Sequence, residues 1–146
     1  MLNESRPCYI GVPVDMSHLM CNASGLQSKL VLDLPPNDAE AESKVVDELR
    51  SMLETKQSPV IIIDGNATRN DAVAESQKLS TITGLPTFTT GMGKSSANED
   101  APNFGGVYAG AGSIEQVQKM VEGSDCVFWI GNFPVRVFTE DKSDRN

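Results

Sequence analysis

The sequence predicts an α/β fold, a Rossmann-like parallel sheet flanked by helices, and three observations carry that prediction. Amphipathic helical stretches alternate along the chain with short apolar runs, the order that βαβ units require. The strongest run, Pro59-Val60-Ile61-Ile62-Ile63-Asp64, is continuous and β-branched, as a strand covered on both faces must be. The 146 residues suffice for one domain with a real core and exclude a complete large enzyme.

The elements follow in order. Pro7 to Val12 reads as a short buried strand stopped by Pro13, and Asp15 to Leu34 holds no period and reads as a connector. Asn37 is placed as an N-cap with Glu40 three residues on, the capping-box spacing. Val45, Val46, Leu49, Met52 and Leu53 then form one apolar stripe on a helix. After the β-branched run, Gly65-Asn66 is expected to make a tight turn. Asn70 to Thr83 follows as a weaker helix with Val73, Leu79 and Ile82, ended by Gly84. Leu85 to Thr90 reads as a strand and Gly91 to Gly112 as mostly loop. Ser113 is expected to cap a helix carrying Ile114, Val117, Met120 and Val121, closed by Gly123, and Asp125 to Ile130 is the next buried strand. The charged tail from Thr139 to Asn146 is expected to fray.

Charge and composition exclude several functions. Twenty acidic against twelve basic residues give a net charge of -8, which repels phosphate backbones and anionic lipid, so no nucleic acid partner is expected. No apolar run approaches the length of a membrane span, and Met1 to Pro7 lacks a secretory pattern, so no membrane and a cytoplasmic location are expected. Three cysteines without a CxxC pair and the single His18 argue against a disulfide framework, a Cys/His zinc site and a Ser-His or Cys-His catalytic pair.

Three segments invite a ligand. Gly93-Lys94-Ser95 looks like the end of a phosphate-binding loop, but the glycine needed five residues earlier is Phe88, and Ser95 to Pro102 reads as loop rather than helix. Gly110-Ala111-Gly112 before a helix resembles the start of a dinucleotide fingerprint, but its third glycine position is Glu115, whose carboxylate would repel a pyrophosphate. Asp64 to Asp71 stands at the carboxyl end of the strongest strand, the best position for a small molecule in an open sheet. The alternative there is a polar turn in which Thr68 or Asn70 caps the next helix and Arg69 pairs with an acid.

Taken as a set, several segments resemble one family. Ser5-Arg6-Pro7-Cys8-Tyr9-Ile10-Gly11-Val12-Pro13, Leu34-Pro35-Pro36-Asn37-Asp38-Ala39-Glu40-Ala41-Glu42, Lys56 to Asp71, Gly91-Met92-Gly93-Lys94 and Asn103-Phe104-Gly105-Gly106-Val107-Tyr108 are similar, in order and spacing, to fungal pyruvate decarboxylases. These are thiamine diphosphate- and magnesium-dependent 2-oxo acid decarboxylases, carboxy-lyases giving an aldehyde and carbon dioxide. The resemblance runs from about Ser5 to Gly131 and departs beyond it. It implies that residues 1–18 are a remnant of the last strand of the pyrimidine-binding domain, 19–36 a linker, and 37–146 a partial central Rossmann-like domain truncated at its C-terminal end.

It further implies that the family's cofactor-activating glutamate and histidine pair fall before Met1, and its Gly-Asp-Gly…Asn metal motif after Asn146. No catalytic, cofactor-binding or metal-binding residue is therefore expected in the chain, and neither cofactor is expected to bind it alone. The family's regulatory substrate site maps onto Gly65 to Asp71, where Arg69 matches the family's arginine and Asn66 replaces its cysteine. Arg69 and Asn66 are the candidate regulatory residues, with Arg69 the carboxylate contact through its fork of donors. The parent would be a homo-oligomer, a tetramer of two dimers, acting on a 2-oxo acid. The alternative is a solitary Rossmann-like module that binds a small molecule or a protein without catalysis. A sheet truncated beyond Gly131 is expected to expose an apolar edge, leaving the chain marginally stable or self-associating.

Overall fold

A computed structural model describes residues 6–29 and 35–133. The chain divides into two units, residues 1–42 and 43–146. In the first, residues 6–13 are extended but form no strand, contrary to the sequence expectation for Pro7 to Val12. A strand exists only as part of a ladder, and among the described residues none pairs with these, so Tyr9 and Ile10 stand exposed. The connector holds two 3₁₀ turns, Val14–Met16 and Ala23–Gln27, the second capped by Asn22, whose Oδ1 accepts from the Ser24 N–H at 2.9 Å. His18 is exposed. The N-cap of helix α1 (Ala39–Thr55) is Asp38 rather than the expected Asn37. Asp38 Oδ1 accepts from the Ala41 N–H at 2.8 Å, while Asn37 reaches forward to Glu42.

The second unit is a four-stranded parallel sheet of β1 (Pro59–Ile63), β2 (Thr87–Thr90), β3 (Phe104–Tyr108) and β4 (Cys126–Ile130), in the order β3-β2-β1-β4. Helices α2 (Gly65–Arg69), α3 (Val73–Thr83) and α4 (Glu115–Glu122) make the crossovers, with α4 packed on β3. β1 lies in the middle and its four aliphatic residues are buried on both faces, as its β-branched run requires. Val60 and Ile62 join Phe88, Tyr108, Val117 and Val121 on one face; Ile61 and Ile63 join Ala67 and Ala97 on the other. Asp125 ties the entry of β1 to the entry of β4, its carboxylate accepting from the N–H groups of Gln57 and Ser58 at 2.7 and 2.9 Å.

Four local expectations need correction. Gly65-Asn66 opens the short helix α2, capped by Asp64, instead of making a tight turn. The stretch from Gly91 to Gly112 contains the strand β3, masked in the sequence by Gly105-Gly106. A Cβ on Gly105 would stand 2.2 Å from the Phe88 ring, so the glycine belongs to the strand because the neighbouring aromatic fills its place. In α3 the buried face is Ser76 and Ser80, whereas Ile82 is 72% exposed. The small hydroxyls allow close approach and are satisfied, Ser76 by the Ala72 carbonyl at 2.6 Å and Ser80 by Thr87 Oγ1 at 2.7 Å. Ser113 does not cap α4: its hydroxyl accepts from the Ala109 N–H at 2.7 Å, Ile114 takes the N-cap position at 67% exposure, and Met120 is also exposed. Val117 and Val121 carry that helix's packing. The tail Thr139 to Asn146 lies outside the described residues.

Candidate functional site

From β1 the chain winds outward through β2 to β3 and then returns to the other side of β1 as β4. That reversal is a topological switch point, and ligands of open parallel sheets bind beyond the strands' carboxyl ends at such a point. Here those ends are Asp64 with α2 on β1, and Gly131 to Phe133 on β4.

Asp64 organises the region. Its side chain is wholly buried, yet its two oxygens accept from four donors. Oδ1 takes the Gly65 N–H at 2.6 Å and the Thr90 hydroxyl; Oδ2 takes the Trp129 indole N–H and the Phe133 N–H, each at 3.0 Å. Burial pushes the carboxyl pKa up, but the hydrogen bonds from Thr90, Phe133, Gly65 and Trp129 together outweigh it and hold the group below its ordinary 3.8. Trp129 in turn meets Tyr108 edge to face, the ring centroids 6.4 Å apart. Burial raises the Tyr108 pKa, and the neighbouring Glu122 carboxylate raises it further.

The segment after β4 is strapped across the end of β1. Asp64 N–H donates to the Ile130 carbonyl at 2.9 Å, Asn66 N–H to the Gly131 carbonyl at 3.1 Å, and Asn66 Nδ2 to the Asn132 carbonyl at 2.9 Å. Gly131 has φ +67°, and a Cβ there would lie 2.1 Å from the Ala67 nitrogen, so only glycine brings the strap this close. The strap ends with the Phe133 ring beneath the Arg69 guanidinium, whose carbon is 5.1 Å from the ring centroid.

The structure thus brings the two sequence-predicted residues together on α2, Asn66 half-buried against the strap and Arg69 exposed at its outer end. Neither Thr68 nor Asn70 caps the following helix, as the polar-turn reading expects. Ala72 holds that N-cap position without a side-chain bond, and Asn70 Nδ2 donates back to the Asn66 carbonyl at 2.8 Å. Sequence reasoning gave no role to Asp64, Thr90, Trp129 or Phe133. The one available signal was an aspartate directly after four buried aliphatics, a position where a carboxylate persists only if donors converge on it.

The glycine-rich loop after β2 makes no phosphate cradle. Gly93 N–H donates to Thr90 Oγ1 at 3.0 Å, its Cβ would stand 2.2 Å from the Ile63 carbonyl oxygen, and no helix starts at Lys94. Gly93 is there to let the loop lie on the end of β1.

The chain belongs to the family of the thiamine pyrophosphate enzyme central domain, whose model matches residues 46–145. The match runs past Gly131, beyond which the sequence resemblance is expected to depart. Among curated relatives, the pyruvate decarboxylase of Aspergillus terreus is 43% identical over 128 residues, 88% of this chain and 22% of the relative. That of Candida glabrata is 41% identical and pyruvate decarboxylase isozyme 1 of Saccharomyces cerevisiae 39%, each over 126 residues, 86% of this chain and 22% of the relative. The chain therefore spans about a fifth of the length of the curated relatives it matches.

At the candidate site, the buried Asp64 offers no free oxygen to the magnesium ion that the family resemblance implies. Magnesium wants free carboxylate oxygens in octahedral array, but both oxygens of the buried Asp64 are committed to four donors. No group of three acidic, histidine or cysteine side chains converges on a metal position among the described residues. No helix of the described residues is long and apolar enough to cross a membrane.

Proposed function

We propose that this chain is a central-domain piece of a thiamine diphosphate- and magnesium-dependent 2-oxo acid decarboxylase acting on pyruvate, and that it serves structure and regulation rather than chemistry. Residues 1–18 are the remnant of the preceding pyrimidine-binding domain, 19–36 a linker and 37–146 the partial central domain. The parent works in the cytoplasm as a tetramer of two dimers. Its cofactors are held by parts of the parent outside this chain, and the chain contributes a binding position for the substrate's carboxylate at Arg69, with Asn66 beside it. The observation that carries this reading is the placement of Arg69 and Asn66 at the switch point between β1 and β4, on a segment similar to relatives named as pyruvate decarboxylases.

Two measurements test it. Added to pyruvate, thiamine diphosphate and magnesium, the chain alone is expected to release no carbon dioxide above the uncatalysed rate. A pyruvate titration followed by amide NMR is expected to shift resonances around Arg69 and to lose those shifts in Arg69→Ala. Decarboxylation by the chain alone, or equal shifts in the variant, refutes the assignment.

A further inference from the structure

We infer that the crevice between α3, β2 and the loop leading into β3 is a binding site for a small neutral polyol. The crevice shares no residue with the proposed carboxylate position and binds its ligand whether or not pyruvate binds there.

Small side chains make the room. α3 buries Ser76 and Ser80 where a helix on a sheet ordinarily packs large aliphatics, and the loop opposite contributes Ala97 and Ala101, so a cavity of about 100 Å³ remains beside Thr87 of β2. It adjoins an open hollow of about 530 Å³ through Thr81, Asn98, Ala101 and Asn103, which line both. The protons of its inner wall can be assigned. The Thr87 hydroxyl donates to the Leu85 carbonyl at 3.0 Å, so Ser80 is the donor in the Ser80–Thr87 pair at 2.7 Å. Asn103 Nδ2 spends its two N–H bonds on the Leu85 carbonyl and Ser80 Oγ, at 2.8 and 2.9 Å. Gln77 Nε2 donates to the Ser96 carbonyl and Asn98 Oδ1 accepts from the Asp100 N–H, each at 3.1 Å. What the three amides have left is thereby fixed. Asn103 Oδ1 and Gln77 Oε1 accept, Asn98 Nδ2 donates, and none of these atoms has a partner among the described residues. On the same face of β2, Thr89 buries a hydroxyl that no described residue engages, and its register neighbour Ile63 lines the cavity. This face therefore carries polar groups whose hydrogen bonds the described residues do not complete.

The chemistry of the wall selects the ligand. Two amide acceptors and one amide donor match adjacent hydroxyls, each of which both donates and accepts, while Ile63 and Phe104 supply an apolar surface for the carbons. No charged side chain lines the inner cavity, and a net charge of -8 disfavours an anion. An apolar cavity of about 150 Å³ takes a benzene-sized guest, so this smaller one takes about four to six heavy atoms, the size of ethane-1,2-diol or glycerol. A longer polyol extends into the adjoining hollow.

Glycerol is the probe, titrated into the full chain and followed by amide NMR, including the side-chain NH₂ resonances of Asn98 and Asn103. Saturable shifts confined to α3 and residues 97–103 are expected, with a Kd of about 1 to 20 mM for a ligand of this size. Propan-1-ol, with a similar carbon chain and one hydroxyl, is expected to bind at least about threefold more weakly. Ala101→Leu fills the cavity from its wall while leaving every polar side chain in place, and is expected to abolish the saturable shifts. Asn98→Ala, at the exposed rim, is expected to weaken binding about two- to tenfold through one lost hydrogen bond. Trp129, the only tryptophan, donates to the buried Asp64, so an unchanged emission maximum verifies the fold of each variant. Shifts that grow linearly with glycerol and spread over the surface show a cosolvent effect only and overturn the site. Saturable shifts that survive Ala101→Leu overturn it as well. Propan-1-ol binding as tightly as glycerol overturns the recognition of a polyol.

Discussion

At Asp64 a carboxylate stays ionised inside the protein because four donors from four segments converge on it, and the sign of its pKa shift follows from that competition. Desolvation alone would favour the neutral acid; the donors reverse this, so the folded pKa lies below the unfolded value near 3.8. A depressed folded pKa contributes stability that is fully present above the unfolded value. That stability is lost as pH falls through the lower folded one. The urea midpoint of the chain is therefore expected to drop on acidification below pH 3.8, and Asp64→Asn to flatten that drop. The same variant places an amide N–H₂ or a single carbonyl where two oxygens accepted four bonds, leaving buried donors unpaired. It is expected to cost about 2 to 4 kcal/mol at neutral pH by urea unfolding, with a shifted Trp129 emission in the folded baseline. A variant as stable as wild type would mean that the four bonds add little beyond what water gives.

Among the elements, the strands and helices fall into two groups according to what determines them. β1, β2, β4 and the two longer crossover helices are legible because burial on a sheet or against one writes a period into the sequence, as the run Val60 to Ile63 and the pair Val117 and Val121 show. β3 was not legible, because Gly105 answers to a neighbour, Phe88, that no local pattern contains, and Gly106 to a backbone φ of +117°. The caps failed for a related reason: Ser113 was taken by the Ala109 N–H, and Asp38 and Asn37 exchanged roles over one residue. At the site, Arg69 and Asn66 were legible from position and resemblance, while the strap and the Asp64 latch depend on contacts 65 to 69 residues apart in sequence. The account of β3 yields its own test. Gly105→Ala is expected to destabilise by about 1 to 3 kcal/mol through overpacking on Phe88, and Phe88→Leu to relieve part of that cost, so that the double variant is less destabilised than the sum of the singles. Additive single effects in urea unfolding would show that the glycine serves its backbone conformation instead.

On the scale of the whole molecule, the two edges that the sheet has among the described residues differ in how they are protected. β3 carries two glycines and a register irregularity against β2, features that blunt pairing with another chain. β4 reads Cys126-Val127-Phe128-Trp129-Ile130, with no charge or proline, is half-buried along most of its length, and leaves Val127 40% exposed. Beside it, Leu49 and Met52 of α1 and Leu79 of α3 line an apolar groove with Phe128 and Ile130. The stripe of α1 continues into solvent through Val45 and Val46, 55% and 47% exposed. An uncharged edge next to an apolar groove attracts whatever strand or helix face meets it, and another copy is the partner always present in a purified sample. The opposing force is electrostatic, since a net charge of -8 makes every copy repel every other. Salt screens that repulsion and leaves the apolar attraction intact, so association should strengthen with ionic strength, opposite to a contact built on ion pairs. Sedimentation velocity of the chain is expected to show concentration-dependent association that grows from about 0.01 M to about 0.3 M salt. Val127→Lys, a gatekeeper charge on the edge, is expected to return the chain to monomer without lowering its urea midpoint. A wild-type monomer at every salt concentration, with a cooperative urea transition of full-domain slope, would show that the β4 edge and the α1 stripe are covered within the chain itself.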